Sequence, residues 1–245
     1  LKFPQLLLGI AAGIALPGLV HAVAPVAAPA PAAADKIQIA AWINATAQQK
    51  VTAESLSFQF INLDDDKEPE IVAKENGAVH IGNFYILDQL PDHHYALIAE
   101  KPWNVPQLQL KRWDVTNYEG GSKWNSADPD QVGKVAGKRL FETIDHTGGT
   151  GLDVYAAHLW YLEKGSIVEA WSGVLQETSF APGGKTYRTI GSYQLTGQEG
   201  SPVLYHWLTQ QELDPETMPP LPAAPVTKTE ILPFADGVFQ ASPSR

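Results

Sequence analysis

The stretch Asn62-Leu63-Asp64-Asp65-Asp66-Lys67-Glu68-Pro69-Glu70 places oxygen-bearing side chains at its first, third, fifth and ninth positions: Asn62, Asp64, Asp66 and Glu70. A hard cation such as calcium takes roughly six to eight oxygen ligands from carboxylates, amides and backbone carbonyls. A tight loop aims alternate side chains inward, and the carbonyl of Glu68 adds a backbone oxygen near the seventh position. Carboxylates crowded this closely repel one another unless a cation neutralises them. Leu63 and Ile71 flank the carboxylates and would anchor the loop in a core. The alternative is a solvated acidic turn that holds no ion.

Other residues invite other chemistry. Asp145, His146, Asp153 and His158 surround the Gly-rich run Gly148-Gly149-Thr150-Gly151. Carboxylate–imidazole pairs are the material of acid–base catalysis, so a hydrolase site belongs here if there is one. The run lacks the lysine and following helix of a phosphate loop, and it lacks a Ser or Cys nucleophile on an elbow. A plain Gly turn between two strands accounts for these residues through turn chemistry alone and is the preferred reading. Asp92-His93-His94, with His80, offers imidazoles for zinc, but adjacent histidines on a turn diverge, which favours an exposed hairpin tip. Trp103, Trp113 and Trp124 fall in a polar segment, where aromatic faces stack on sugars or partner chains. Trp160, Trp171 and Trp207 sit inside apolar strands and are assigned to the core.

Strands must position most of these groups. One helix is expected over residues 35–50, with Asp35 as its cap and Ile39, Trp42, Ile43 and Ala47 at helical spacing. Asn44-Ala45-Thr46 within it matches a glycosylation sequon. Thereafter Leu56, Phe58 and Phe60 alternate with Ser55, Ser57 and Gln59, the period of a half-buried strand. A hairpin is expected around Asn76-Gly77, and another strand after the turn at residues 91–94. Residues 103–134 read as one or two strands and a long loop. A second hairpin turns at Glu163-Lys164-Gly165, and its first strand is apolar on both faces, as in a central strand. Two more strands, a Pro-rich connector at 214–225 and a final pair turning at Asp236-Gly237 complete the chain. The fold class is mainly β, with antiparallel hairpins in a propeller-like or meander arrangement. One N-terminal helix and a single β-rich domain over 35–245 complete this reading.

The acidic stretch resembles the calcium loop of FG-GAP or VCBS-type repeats, in which Asp-x-Asp-x-Asp-Gly-x-x-Asp precedes an apolar strand. The match covers residues 60–72 as a single copy, and it is most similar to the "DLDGDGKPEIV"-like element of small exported bacterial proteins. The resemblance implies propeller-like β structure. It also implies Ca2+ held by Asn62, Asp64, Asp66, the Glu68 carbonyl and Glu70. Asn62 at the first position, Lys67 at the sixth and Glu70 at the ninth depart from the pattern. They place the expected affinity in the weak extracellular range of about 10⁻⁴–10⁻³ M.

An apolar run at residues 6–20 follows Lys2 and reads as the core of a signal peptide over 1–22, cleaved after Ala22. An uncleaved anchor is the alternative. Residues 23–34 form an Ala/Pro linker without the means to build a core. The chain has no cysteine, which closes off disulfides and lipid attachment through a thioether. Lys and Arg number 17 against 27 Asp and Glu, and the net charge of −10 argues against nucleic acid. The expectation is an exported, secreted or cell-surface β protein without catalysis and without a stable membrane span after processing. It would carry a calcium loop and bind an extracellular protein or glycan. A secreted hydrolase and a carbohydrate- or cell-wall-binding module are the alternatives.

Overall fold

The computed structural model describes residues 35–64, 66, 68–77, 80–108, 111–112, 135–181, 183–196 and 202–241. The expected leader, the Ala/Pro linker, Trp113 and Trp124 lie outside these residues. Asp35 caps α1 (Lys36–Thr46), its side chain accepting the Gln38 amide at 2.8 Å. Ile39, Ala40 and Ile43 form the buried face. The helix ends before the expected Lys50 because Ala47 turns extended and the amides of Gln48 and Gln49 donate to the Glu100 carboxylate. Asn44 closes this exit: its Nδ2 donates to the Val51 carbonyl at 2.9 Å and its Oδ1 accepts the Val51 amide at 2.8 Å. The nitrogen of the sequon is therefore engaged in the fold.

The first sheet is a four-stranded antiparallel meander of β1 (Leu56–Ile61), β2 (Glu70–Asn76), β3 (Gly82–Gln89) and β4 (Tyr95–Lys101). The second is an eight-stranded meander of β5 (Lys111–Arg112), β6 (Phe141–Gly149), β7 (Leu152–Glu163), β8 (Ser166–Ala181), β9 (Lys185–Thr196), β10 (Val203–Leu213), β11 (Val226–Ala235) and β12 (Val238–Phe239). Both sheets follow chain order, so the fold is mainly β and of the meander kind. The doubly apolar β7 lies between β6 and β8, inside its sheet as expected. Among the described residues no helix is long and apolar enough to cross a membrane.

The first core joins the sheets. Leu63, Val72, Phe84, Ile86 and Trp103 meet Phe141 and Trp160 from the larger sheet. The second lies within the larger sheet, around Leu159, Tyr161, Trp171, Leu195, Leu204 and Phe239. Trp160 and Trp171 are buried as expected. Trp207 is only partly buried and stacks on Tyr205, because β10 turns Leu204 and His206 inward and leaves Tyr205 and Trp207 on its other face.

Turn chemistry explains two of the hairpins. Lys164 and Gly165, and likewise Asp236 and Gly237, have positive φ, the conformation of a tight two-residue β turn. The Asn76-Gly77 expectation fails in detail. Asn76 pairs with Gly82 as the last residue of β2, and its side chain donates to the Val105 carbonyl at 2.9 Å. The turn is a wider loop, closed by the Gly77 amide on the Ile81 carbonyl at 2.8 Å. This displacement presents His80, at φ 66°, from the loop.

Gly191 on β9 marks a close approach. A Cβ there would lie 1.8 Å from the Val174 carbonyl oxygen. Gly191→Ala must push β8 and β9 apart and is expected to cost roughly 1–3 kcal/mol. A lowered urea midpoint checks this, and an unchanged midpoint contradicts it.

Candidate metal centre

The acidic stretch forms the connection from β1 to β2, and Glu70 is the first residue of β2, paired with Ile61. Within the loop, short polar side chains fold the backbone on itself. The Asp66 amide donates to Asp64 Oδ1 at 2.8 Å, and the Glu68 amide donates to Asp66 Oδ1 at 3.0 Å. These are Asx turns, which hold the carboxylates at the inner side of the bend. One carboxylate oxygen from each of Asp64, Asp66 and Glu70 lies within 4.8 Å of the others. Leu63 is buried at 1% exposure and Ile71 at 0%, so the loop is pinned to the core at both ends.

Glu70 is the unusual member, with 0% exposure. Its Oε2 accepts the Leu63 amide at 2.5 Å, while its Oε1 has no hydrogen-bond partner among the described residues. Burial, with the charges of Asp64 and Asp66 adding to it, pushes its carboxyl up to about 8. Burial also raises Asp66, with Asp64 next in weight. Asp88 on β3 belongs to the same field: burial raises it, and the charge of Asp64 adds to that. The sequence reading missed Asp88, because it comes into the cluster only through the pairing of β2 with β3.

Asn62 and Glu68 stand differently from the other three expected ligands. Asn62 Oδ1 accepts from Arg139, and Asn62 Nδ2 donates to the Asp66 carbonyl at 2.6 Å. The amide therefore clamps the loop and ties it to the segment that leads into β6. The Glu68 side chain is exposed and outside the carboxylate cluster, which leaves its carbonyl as the group that the expectation named. Beside the loop lies a depression of about 490 Å³ whose lining includes Asp64, Asp66, Lys138, Arg139, Glu163 and Lys164. Lys138 and Glu163 of its lining pair at 2.5 Å.

The tetrad expected for acid–base chemistry is divided by strand alternation. On paired β6 and β7, Asp145 and His158 face one side, with Thr143 and Trp160, while His146, Asp153 and Tyr155 face the other. His158 stacks on Trp103 at 4.3 Å and binds Glu169 through Nδ1 at 2.6 Å. His146 Nε2 lies 2.7 Å from Asp153 Oδ1. The four residues therefore do not converge on one substrate position. Trp103, proposed for ligand stacking, is 8% exposed and packs on Phe84, so it is wall rather than platform. His93 and His94 form an exposed tip between β3 and β4, with His94 Nδ1 on Asp92 at 3.0 Å. The full length of β3 separates that tip from His80, so the zinc alternative is not assembled and the exposed tip is as expected.

No family model, curated protein or solved structure matches this chain.

Proposed function

We propose that this is an exported, non-catalytic β protein whose β1–β2 loop binds calcium through Asp64, Asp66 and Glu70, presenting the depression beside it to a partner. The observation that carries this reading is Glu70. A buried carboxylate oxygen with no hydrogen-bond donor among the described residues costs free energy that a bound cation would recover. Asp88 adds negative charge behind the three ligands, and the carbonyl of Glu68 is available to complete an oxygen shell. A hard, all-oxygen set of this kind suits calcium over transition metals. The Asx turns preorganise the loop whether or not the ion is present. The resemblance of residues 60–72 to calcium-loop repeats supports the same ion. Basic side chains on the rim, next to a cation with solvent-facing positions, suit an acidic group on an extracellular protein or glycan.

The test is the melting temperature in EDTA and in millimolar calcium, with an Asp64→Asn/Asp66→Asn variant alongside. At ten times Kd, mass action adds about 1.4 kcal/mol, roughly 3–6 °C for a chain of this size. The variant should melt at the same temperature in both buffers. Coincident wild-type curves would sink the calcium reading.

A further inference from the structure

We propose that His80, His146 and Asp153 form a second metal site, for a first-row divalent transition ion such as zinc, that ties the smaller sheet to the larger one. His80 comes from the loop between β2 and β3, while His146 and Asp153 come from β6 and β7. One potential ligand atom from each lies within 4.8 Å of the others. Nothing in the spacing of residues 80, 146 and 153 announces this group, because the fold alone brings them together.

The arrangement is built rather than incidental. His80 Nδ1 is buried and has no hydrogen-bond partner among the described residues. Its backbone is in the left-handed region, which few non-glycine residues adopt. The His80 ring meets the edge or face of His146 at 4.3 Å in a near-perpendicular arrangement. His146 also stacks on Tyr155, ring centroids 4.0 Å apart with an interplanar angle of 5°. Thus the imidazole of His146 is held in one plane before any ion arrives.

Asn104 holds both sheets to the site. Its side chain donates to the Ile81 carbonyl at 3.0 Å, next to His80, and its own carbonyl accepts the His146 amide at 2.8 Å. Gly148 makes room: a Cβ there would lie 3.4 Å from His80 Cε1 and 2.6 Å from the Leu152 carbonyl. Two imidazoles and one carboxylate are the donor set of zinc and its first-row neighbours, and they do not suit calcium or magnesium. Three protein ligands leave a position for water or an exogenous ligand. The side chain of Asp153 is 44% exposed, which gives the ion a path from solvent and lets the carboxylate rotate onto it.

The experiment titrates the untagged, chelator-stripped full chain with Zn2+ by calorimetry and with Co2+ by its visible d–d absorption. The expected result is one site that responds to both ions. His80→Ala, His146→Gln and Asp153→Asn should each weaken it by about tenfold or more. His80→Ala carries the test if a strand variant misfolds, since its change lies in a loop. Asp64→Asn/Asp66→Asn and His93→Ala/His94→Ala should leave the affinity unchanged. Absence of binding overturns the proposal. So does binding that survives His80→Ala, or that disappears with the His93/His94 pair.

Discussion

Replacing Glu70 with glutamine is expected to stabilise the calcium-free protein near pH 8 and to remove its response to calcium. The Glu70 carboxyl titrates at about 8 in the fold against an ordinary 4.5, and burial is the main cause. Between those values the native state holds a proton that the unfolded chain has released. Stability therefore falls as pH rises: the favourable contribution is complete below about 4.5 and is lost through about 8. At about 1.36 kcal/mol per unit, the full loss is on the order of 4–5 kcal/mol. Asp66 and Asp88 are shifted in the same direction by their own burial and add to the slope. Glutamine keeps an oxygen for the Leu63 amide and carries no charge, so its pH profile should be much flatter. Calcium acts in the opposite sense. On the proposed function it binds the ionised carboxylate and releases the proton, so its stabilisation of the wild type should grow from about pH 6 to about pH 8. Denaturant midpoints across this range, with and without calcium, measure both effects. Parallel pH profiles for wild type and Glu70→Gln would contradict the role given to Glu70.

Local patterns made the elements legible, and long-range pairing decided the sites. Alternation located β1, a run apolar on both faces located β7, and the Lys-Gly and Asp-Gly dipeptides located two turns. Asn76-Gly77 misled because Asn76 had a stronger use, as a strand residue bonded to Val105, than as a turn centre. The Asp64, Asp66 and Glu70 group was readable because its carboxylates come from one short stretch and their spacing is local. Asp88 was not, since it is contributed by a neighbouring strand. The division of Asp145 and His158 from His146 and Asp153 was readable in principle: positions an odd number apart on one strand face opposite ways. What spacing could not reveal is that the face bearing His146 meets His80. The three tryptophans given to the core show the same limit. Each lies in an apolar run, yet Trp207 is on the outward parity of β10, and only the packing of the sheet distinguishes it from Trp160.

Trp160→Ala is expected to produce the largest loss of stability among single substitutions at the sheet interface. The side chain is 0% exposed. Its ring packs on Phe84 of the smaller sheet at 5.9 Å and on Phe141 of β6 at 5.2 Å, and its Nε1 donates to Thr143 Oγ1 at 2.8 Å. Truncation removes apolar contact on both sides, leaves a cavity between the sheets and strips the Thr143 hydroxyl of its donor. Large-to-small changes of this type cost about 3–5 kcal/mol, roughly a fifth or more of the stability of an ordinary domain of about 5–15 kcal/mol. Trp160→Phe should cost distinctly less, because a ring remains and the loss is chiefly the indole edge and its hydrogen bond. Trp207→Ala provides the contrast: its partly exposed ring on Tyr205 should be worth only about 1 kcal/mol, since little of its area is withdrawn from water. Urea midpoints of the three variants measure the difference. Equal losses at positions 160 and 207 would mean that the sheets are not held together through Trp160. The same contact bears on the cross-sheet histidines, because Phe84 and His80 move with the smaller sheet while Phe141 and His146 share β6. Loosening Trp160 therefore loosens the distance between His80 and His146, and Trp160→Phe should weaken zinc binding while His146 and its partners remain intact.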